Sequence, residues 1–161
     1  DQLPIVKKKF LEYHRYADAT INEVLEPDQL KNAKLLQVTE QSTLYLQNDG
    51  EKGFSKKPLP AQAQYAPVYA ITSLDANKDG KKDLLLAGNN SWTRIKFGRY
   101  SANHGILLIG DGKGNFSYVP QLQSGLNVRG DVRSLLPVQT GNAVTIFWGM
   151  NNATVISYRL N

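Results

Sequence analysis

Two ten-residue segments of this chain match at a constant offset of 62 residues. Residues 46–55 read LQNDGEKGFS and residues 108–117 read LIGDGKGNFS. Leu46 matches Leu108, Asp49 matches Asp111, Gly50 matches Gly112, Phe54 matches Phe116 and Ser55 matches Ser117. Asp-Gly between alternating runs signals a hairpin, because glycine takes the positive φ that tight turns need. A chain that writes the same hairpin twice is constrained toward a repeated β architecture. Repeats of about 40–60 residues with roughly four strands each suggest propeller blades or stacked sheets. Phe54 and Phe116 are therefore expected in matching, largely buried positions. Further along, Val68–Leu74 pairs loosely with Val132–Val138, and Gly88-Asn89-Asn90 echoes Gly149–Asn152.

Hydrophobic periodicity divides the chain. Phe10, Ala17, Ile21, Val24 and Leu25 recur at helical spacing, which predicts a helix over 5–25, stopped by Pro27. A short helical turn is expected over 28–33. From residue 34 the period becomes 2, and short strands are expected at 35–38, 42–47, 54–59, 68–74, 83–88, 106–109, 116–119, 132–138, 143–148 and 154–160. The reading is mainly β: a helical appendage over 1–33, then a β-repeat domain over 34–161 with pieces at 35–59, 66–119 and 131–160. Those pieces correspond to about two and a half antiparallel four-stranded blades of a partial propeller-like array. The helical stripe Phe10, Ala17, Ile21 and Leu25 is expected to pack on a sheet face or edge.

Composition narrows the function classes. The 161 residues carry 41% hydrophobic residues and a net charge of +5, and they lack cysteine. Disulfides, thiolate metal sites and a cysteine nucleophile are excluded. The lysines at 7–9, 56–57 and 81–82 are dispersed, without the single basic stripe of a nucleic-acid binder. No apolar run reaches the length of a membrane helix. The chain opens on Asp1 with no signal-like apolar stretch, so it is expected to be a processed product or an excised piece of a longer protein.

Residues 75–83 read Asp-Ala-Asn-Lys-Asp-Gly-Lys-Lys-Asp. Side-chain oxygens stand at positions 1, 3, 5 and 9, and Gly80 at position 6 permits the turn. Calcium takes six to eight hard oxygen ligands in flexible geometry. Asp75, Asn77, Asp79 and Asp83, with the Lys81 carbonyl, are the candidate Ca²⁺ ligands. The loop is not an EF-hand: Leu86 stands where the bidentate Glu would be, and both flanks read as strands. Lys78, Lys81 and Lys82 offset the aspartates, so modest affinity is expected. Asp49 and Asp111 are read as structural turn residues.

A strand, a DxNxDGxxD loop, a second strand and a GDGxGxF hairpin, in that order, resemble an FG-GAP or VCBS repeat. That repeat is the blade unit of integrin-α-like β-propellers. Residues 66–90 and 105–119 carry the resemblance, and the whole chain looks like the C-terminal part of larger bacterial exported proteins related to the ASPIC/UnbV group. The resemblance implies calcium at the same five residues and an extracellular, periplasmic or outer-membrane-associated location. The last piece departs from the pattern: Gln139-Thr140-Gly141-Asn142 is short and free of carboxylates, and no metal is expected there.

Two and a half blades fall short of the roughly four to eight of closed propellers. Three explanations stand: a fragment of a longer propeller, an open array covered by the helix, or association of copies. His14 and His104 form no recognisable catalytic pattern. Gly110–Gly114 joins two strands and opens no helix, so it lacks the phosphate-binding context of a P-loop. No enzyme is expected. The reading is a calcium-binding module that contacts a protein or glycan, with Trp92, Phe97 and Tyr100 as candidate contacts; Trp148 is a further candidate but is read first as core or blade packing. The alternative is an accessory or catalytic domain of a polysaccharide-processing enzyme.

Overall fold

A computed structural model describes residues 4–141 and 143–160. The chain divides into two compact units, Asp1–Glu40 and Gln41–Asn161. No helix among the described residues is long and apolar enough to cross a membrane.

The first unit corrects the expected single helix. Its described residues form four short helices: α1 (Pro4–Lys9), α2 (Tyr13–Ala17), α3 (Ile21–Val24) and α4 (Pro27–Leu30). Caps account for the last two starts. Glu23 reaches back to accept the Thr20 amide at 2.7 Å, Gln29 does the same for the Glu26 amide at 2.9 Å, and Pro27 sits at the first position of α4. The expected stripe is not a buried face either. Ile21 is 59% exposed and Ala17 is exposed, while Phe10 makes an edge contact with Tyr16 at 5.7 Å. Helices this short present no continuous stripe, because each break resets the helical phase. Lys9 and Glu26 pair at 2.8 Å on the surface.

The second unit is mainly β. Among the described residues it forms three antiparallel sheets: β1 (Leu44–Asn48) with β2 (Phe54–Pro58); β3 (Val68–Leu74), β4 (Asp83–Gly88), β5 (Ile106–Gly110) and β6 (Phe116–Tyr118); and β7 (Val132–Thr140), β8 (Ala143–Met150) and β9 (Ile156–Leu160). Each sheet is a meander in chain order. The expected strand at 35–38 does not form. Leu35, Leu36 and Val38 are 86%, 78% and 71% exposed, and an apolar run without a neighbouring strand has no ladder to join.

Alternation along β4 and β5 explains how the four-stranded sheet is buried on both faces. Leu85 and Ala87 turn toward a core shared with Val132 of β7 and Ile146 and Trp148 of β8. Leu86, Ile106 and Leu108 turn the other way, toward Leu59 and Ala63, with Tyr45 of the first hairpin packed alongside. Trp148 is fully buried and meets Tyr158 edge-on at 5.8 Å. Gly105 is required beside it. Its φ is +92°, and an added Cβ would lie 2.9 Å from the Trp148 ring. Trp148, read first as a packing side chain and only second as a contact, is thus core.

The segments matched at offset 62 adopt hairpins of the same register. Asn48 pairs Phe54 as Gly110 pairs Phe116, and Leu46 pairs Lys56 as Leu108 pairs Tyr118. Asp49 N–H closes its loop on the Gly53 carbonyl at 2.8 Å, and Asp111 N–H on that of Asn115 at 3.1 Å. The β3–β4 and β7–β8 pairs also correspond. Each has a bulge at its start, between Val68 and Ala70 and between Val132 and Ser134. Each is closed by an asparagine amide, Asn89 to the Pro67 carbonyl at 3.0 Å and Asn151 to that of Asp131 at 2.8 Å.

The matching hairpins are not equally buried, which corrects the expectation for Phe54. Phe116 is covered by Tyr45 at 5.3 Å, whereas Phe54 is 69% exposed and has no ring stacked on it among the described residues. The first hairpin supplies a cover for the second, and the equivalent face of the first stays open.

Candidate functional site

The 75–83 segment connects β3 to β4. Lys78 and Gly80 take left-handed conformations, with φ of +62° and +81°. These two reversals bend the loop so that its oxygens turn inward. Asp75 Oδ1 and Asn77 Oδ1 lie 3.0 and 3.1 Å from the same Asp79 amide, and Asp75 Oδ2 accepts the Gly80 amide at 2.8 Å. Asp79 Oδ1 accepts the Lys81 amide at 2.9 Å, and its Oδ2 lies 3.3 Å from the Lys81 ammonium. The Lys81 amide, helped by Asn77 and the Lys81 side chain, holds the Asp79 carboxyl below its ordinary range. Asp83 is fully buried at the base of the loop, its oxygens accepting the Ala76 amide at 2.8 Å and the Gly110 amide at 2.9 Å.

The structure therefore brings Asp75, Asn77, Asp79 and the Lys81 main chain into one turn and sets Asp83 beneath it. Among the described residues, no three histidine or acidic side chains cluster as a metal site by themselves. A calcium ion in this loop would have to draw on the Asn77 amide oxygen and the Lys81 carbonyl as well. The donor chemistry fits that ion. All the donors are hard oxygens, and a carboxylate oxygen that accepts one amide keeps a second lone pair. Gln139 and Thr140 end β7 and Gly141 follows with a φ of +63°, while Asn142 lies outside the described residues.

A second loop, residues 89–103, carries the aromatic candidates. Trp92, Phe97 and Tyr100 are 72%, 70% and 46% exposed, and Ile95, which the sequence reading passed over, is 99% exposed. Arg94, Lys96 and Arg99 alternate with them, and among the described residues none of the three has an acidic partner. Backbone bonds between Asn90 and Tyr100, at 2.8 and 3.0 Å, narrow the loop at its neck.

The neck rests on a buried polar base that sequence inspection did not reveal. Asn89, Asn103 and Asp131 are 1%, 2% and 4% exposed. Asn89 donates to the Asn103 carbonyl at 2.6 Å and the Gly130 carbonyl at 3.0 Å, and its Oδ1 accepts the Asn103 amide at 2.9 Å. Asp131 accepts the Ser91 amide and hydroxyl, at 3.0 and 2.9 Å. Arg133 donates to the Asn89 carbonyl at 3.0 Å, sits 3.6 Å from Asp131 and lies over the Tyr69 ring at 4.3 Å. The only sequence signal was the Asn89-Asn90 pair after β4. An exposed apolar and cationic tip on a hydrogen-bonded base can offer a preformed contact surface.

Compared with protein-family models, curated proteins and solved structures, the chain matches none of them.

Proposed function

We propose that the chain is a calcium-stabilised β-sheet module of the FG-GAP or VCBS kind, part of a larger exported protein, that binds a protein or glycan ligand through its exposed loops. The observation that carries this reading is the turn of the 75–83 loop, where the Asp75 and Asn77 oxygens meet at one amide between two antiparallel strands. Asp75, Asn77, Asp79, Asp83 and the Lys81 carbonyl would hold the ion, which would supply cross-linking of the loop and no chemistry of turnover. Trp92, Phe97 and Tyr100 would contact the ligand.

A partial propeller is the arrangement this reading favours. Support comes from the outer faces of the two outer sheets. Leu46 and Phe54 are 54% and 69% exposed on the first hairpin, and Leu136 and Phe147 are 60% and 38% exposed on the last sheet. Apolar sheet faces of this kind are normally covered, here by further blades of a parent chain or by a second copy.

Calorimetric titration with calcium, paired with thermal melting, tests the reading. Binding to the folded state alone raises the melting temperature, and a concentration 100 times the Kd stabilises by about 2.7 kcal/mol. Asp79→Ala removes both the heat and the rise. A chain that takes up no calcium and melts identically with and without it would end the proposal.

A further inference from the structure

A pocket of about 150 Å³ opens beside the start of β5. Gln62, Tyr65, His104, Tyr118 and Gln121 line it, with Ile106 among the apolar contacts. These residues come from four places in the second unit: the turn before β3, the segment leading into β5, the end of β6, and the short helix α5 (Gln121–Ser124). None of the five polar side chains has a hydrogen-bond or ion-pair partner among the described residues. Except for Tyr65, which is 58% exposed, all are half-buried. Five polar side chains without protein partners converging on one concavity are a feature of ligand sites, where a few polar groups fix the orientation of what binds.

The lining selects the ligand chemistry. No Asp, Glu, Lys or Arg lines the pocket, and one imidazole, His104, supplies neither the ligand set of a metal ion nor the Arg or Lys that clamps a phosphate or a carboxylate. Glutamine amides, tyrosine hydroxyls and an imidazole both donate and accept hydrogen bonds, and so do alcohols. The two tyrosine rings add apolar surface beside those polar groups. The volume is below the roughly 300–1,000 Å³ of pockets for drug-sized molecules, which limits the occupant to about one ring. We infer that this pocket binds a single neutral pyranose, either as a free monosaccharide or as the end unit of a glycan. The inference adds a site separate from the 92–100 loop tip, and it rests on the proposed function only in treating the chain as a binder of its ligand.

The test is a nuclear magnetic resonance titration of the whole chain. One arm uses free glucose, galactose, mannose and N-acetylglucosamine; the other uses short oligosaccharides that end in the same sugars. At least one sugar is expected to shift signals of Gln62, His104 and Gln121. Saturation in the first arm identifies a free sugar as the source, and saturation in the second arm alone identifies a glycan end. Gln121→Ala and Gln62→Ala should each weaken binding roughly three- to tenfold, the worth of one hydrogen bond. Either variant suffices if the other loses its folded spectrum. Val155→Ala, at an exposed position just before β9, should leave the affinity unchanged.

The inference is overturned if neither arm shifts the pocket signals, or if inorganic phosphate shifts them and the neutral sugars do not. It is also overturned if Trp92→Ala abolishes binding that both glutamine variants retain. A calcium titration of the same sample separates the two readings. Sugar binding without any calcium response would sink the metal reading alone, and the reverse would sink the pocket alone.

Discussion

The buried Asp83 carboxylate accepts the Gly110 amide at 2.9 Å, 27 residues further along the chain. Its other oxygen accepts the Ala76 amide at 2.8 Å. A side chain at position 110 would meet the Lys82 carbonyl at 2.2 Å, so only glycine lets β5 approach this closely. One carboxylate thus ties the entry of the 75–83 loop, its exit and the start of the 111–115 hairpin turn together.

Asp83→Ala should therefore destabilise the protein whether or not calcium is present. Two amides lose their acceptor, that of Gly110 buried and that of Ala76 part-buried, at about 1–3 kcal/mol for each group left fully unsatisfied. Urea unfolding in the presence of a chelator should show a loss of about 2–5 kcal/mol. A loss that appears only with calcium would mean that Asp83 acts through the ion alone.

Lys81→Ala should tighten calcium binding. The Lys81 ammonium lies 3.3 Å from Asp79 Oδ2 and competes with any cation for that oxygen, while the carbonyl at position 81 survives the substitution. Exposed pairs of this kind are weak, so the gain is expected to be at most about fivefold in Kd by calorimetry. Unchanged or weaker affinity would show that the ammonium does not obstruct the ion.

Asn89 offers a way to separate strain from hydrogen bonding. Its φ is +82° and its side chain makes three hydrogen bonds, two buried and one part-buried. Asn89→Gly keeps the backbone at ease but removes the bonds, and should cost about 2 kcal/mol or more. Asn89→Ala should cost roughly 1 kcal/mol beyond that, because alanine resists the left-handed region. Equal losses in denaturant melts would assign the whole role to the side chain.

The Asp111 turn should carry an acid dependence of definite sign. The Asn115 side chain, then the amides of Lys113 and Asn115, hold the Asp111 carboxyl down from its ordinary 3.8 to about 2. A carboxyl depressed in the folded state stabilises fully above its unfolded value, and loses that contribution as pH falls through the folded one. The hairpin should therefore weaken between about pH 4 and pH 2. Asn115→Ala should raise the Asp111 titration midpoint toward its ordinary value, which a carboxyl carbon titration by nuclear magnetic resonance reads directly.

Much of the β unit was legible in the sequence because its signals are local. Period-2 alternation located β1 through β9 to within a few residues, and Asp-Gly turns marked the two matching hairpins. The spacing of Asp75, Asn77 and Asp79 foretold a turn whose oxygens face inward, since each constraint spans only a few bonds. Local signals also misled. The spacing of Phe10, Ala17 and Ile21 is helical, yet the caps at Thr20 and Glu26 divide that segment. The Leu35–Val38 run is β-forming, yet among the described residues it pairs with no strand.

What the sequence by itself determined is the alternation of apolar residues, the turn chemistry and the spacing of oxygen-bearing side chains in the 75–83 loop. These depend on neighbours in the chain and on the intrinsic preferences of Gly, Asp and Asn. Only the tertiary structure decided which apolar faces are covered, and it separated Phe116 under Tyr45 from Phe54 in the open. It also decided that Trp148 is core, that Asn89, Asn103 and Asp131 meet beneath one loop, and that Gln62, His104 and Gln121 face one pocket. The physical reason is range. Burial and buried hydrogen bonds join residues tens of positions apart, and no local period or turn signal encodes which sheet faces which.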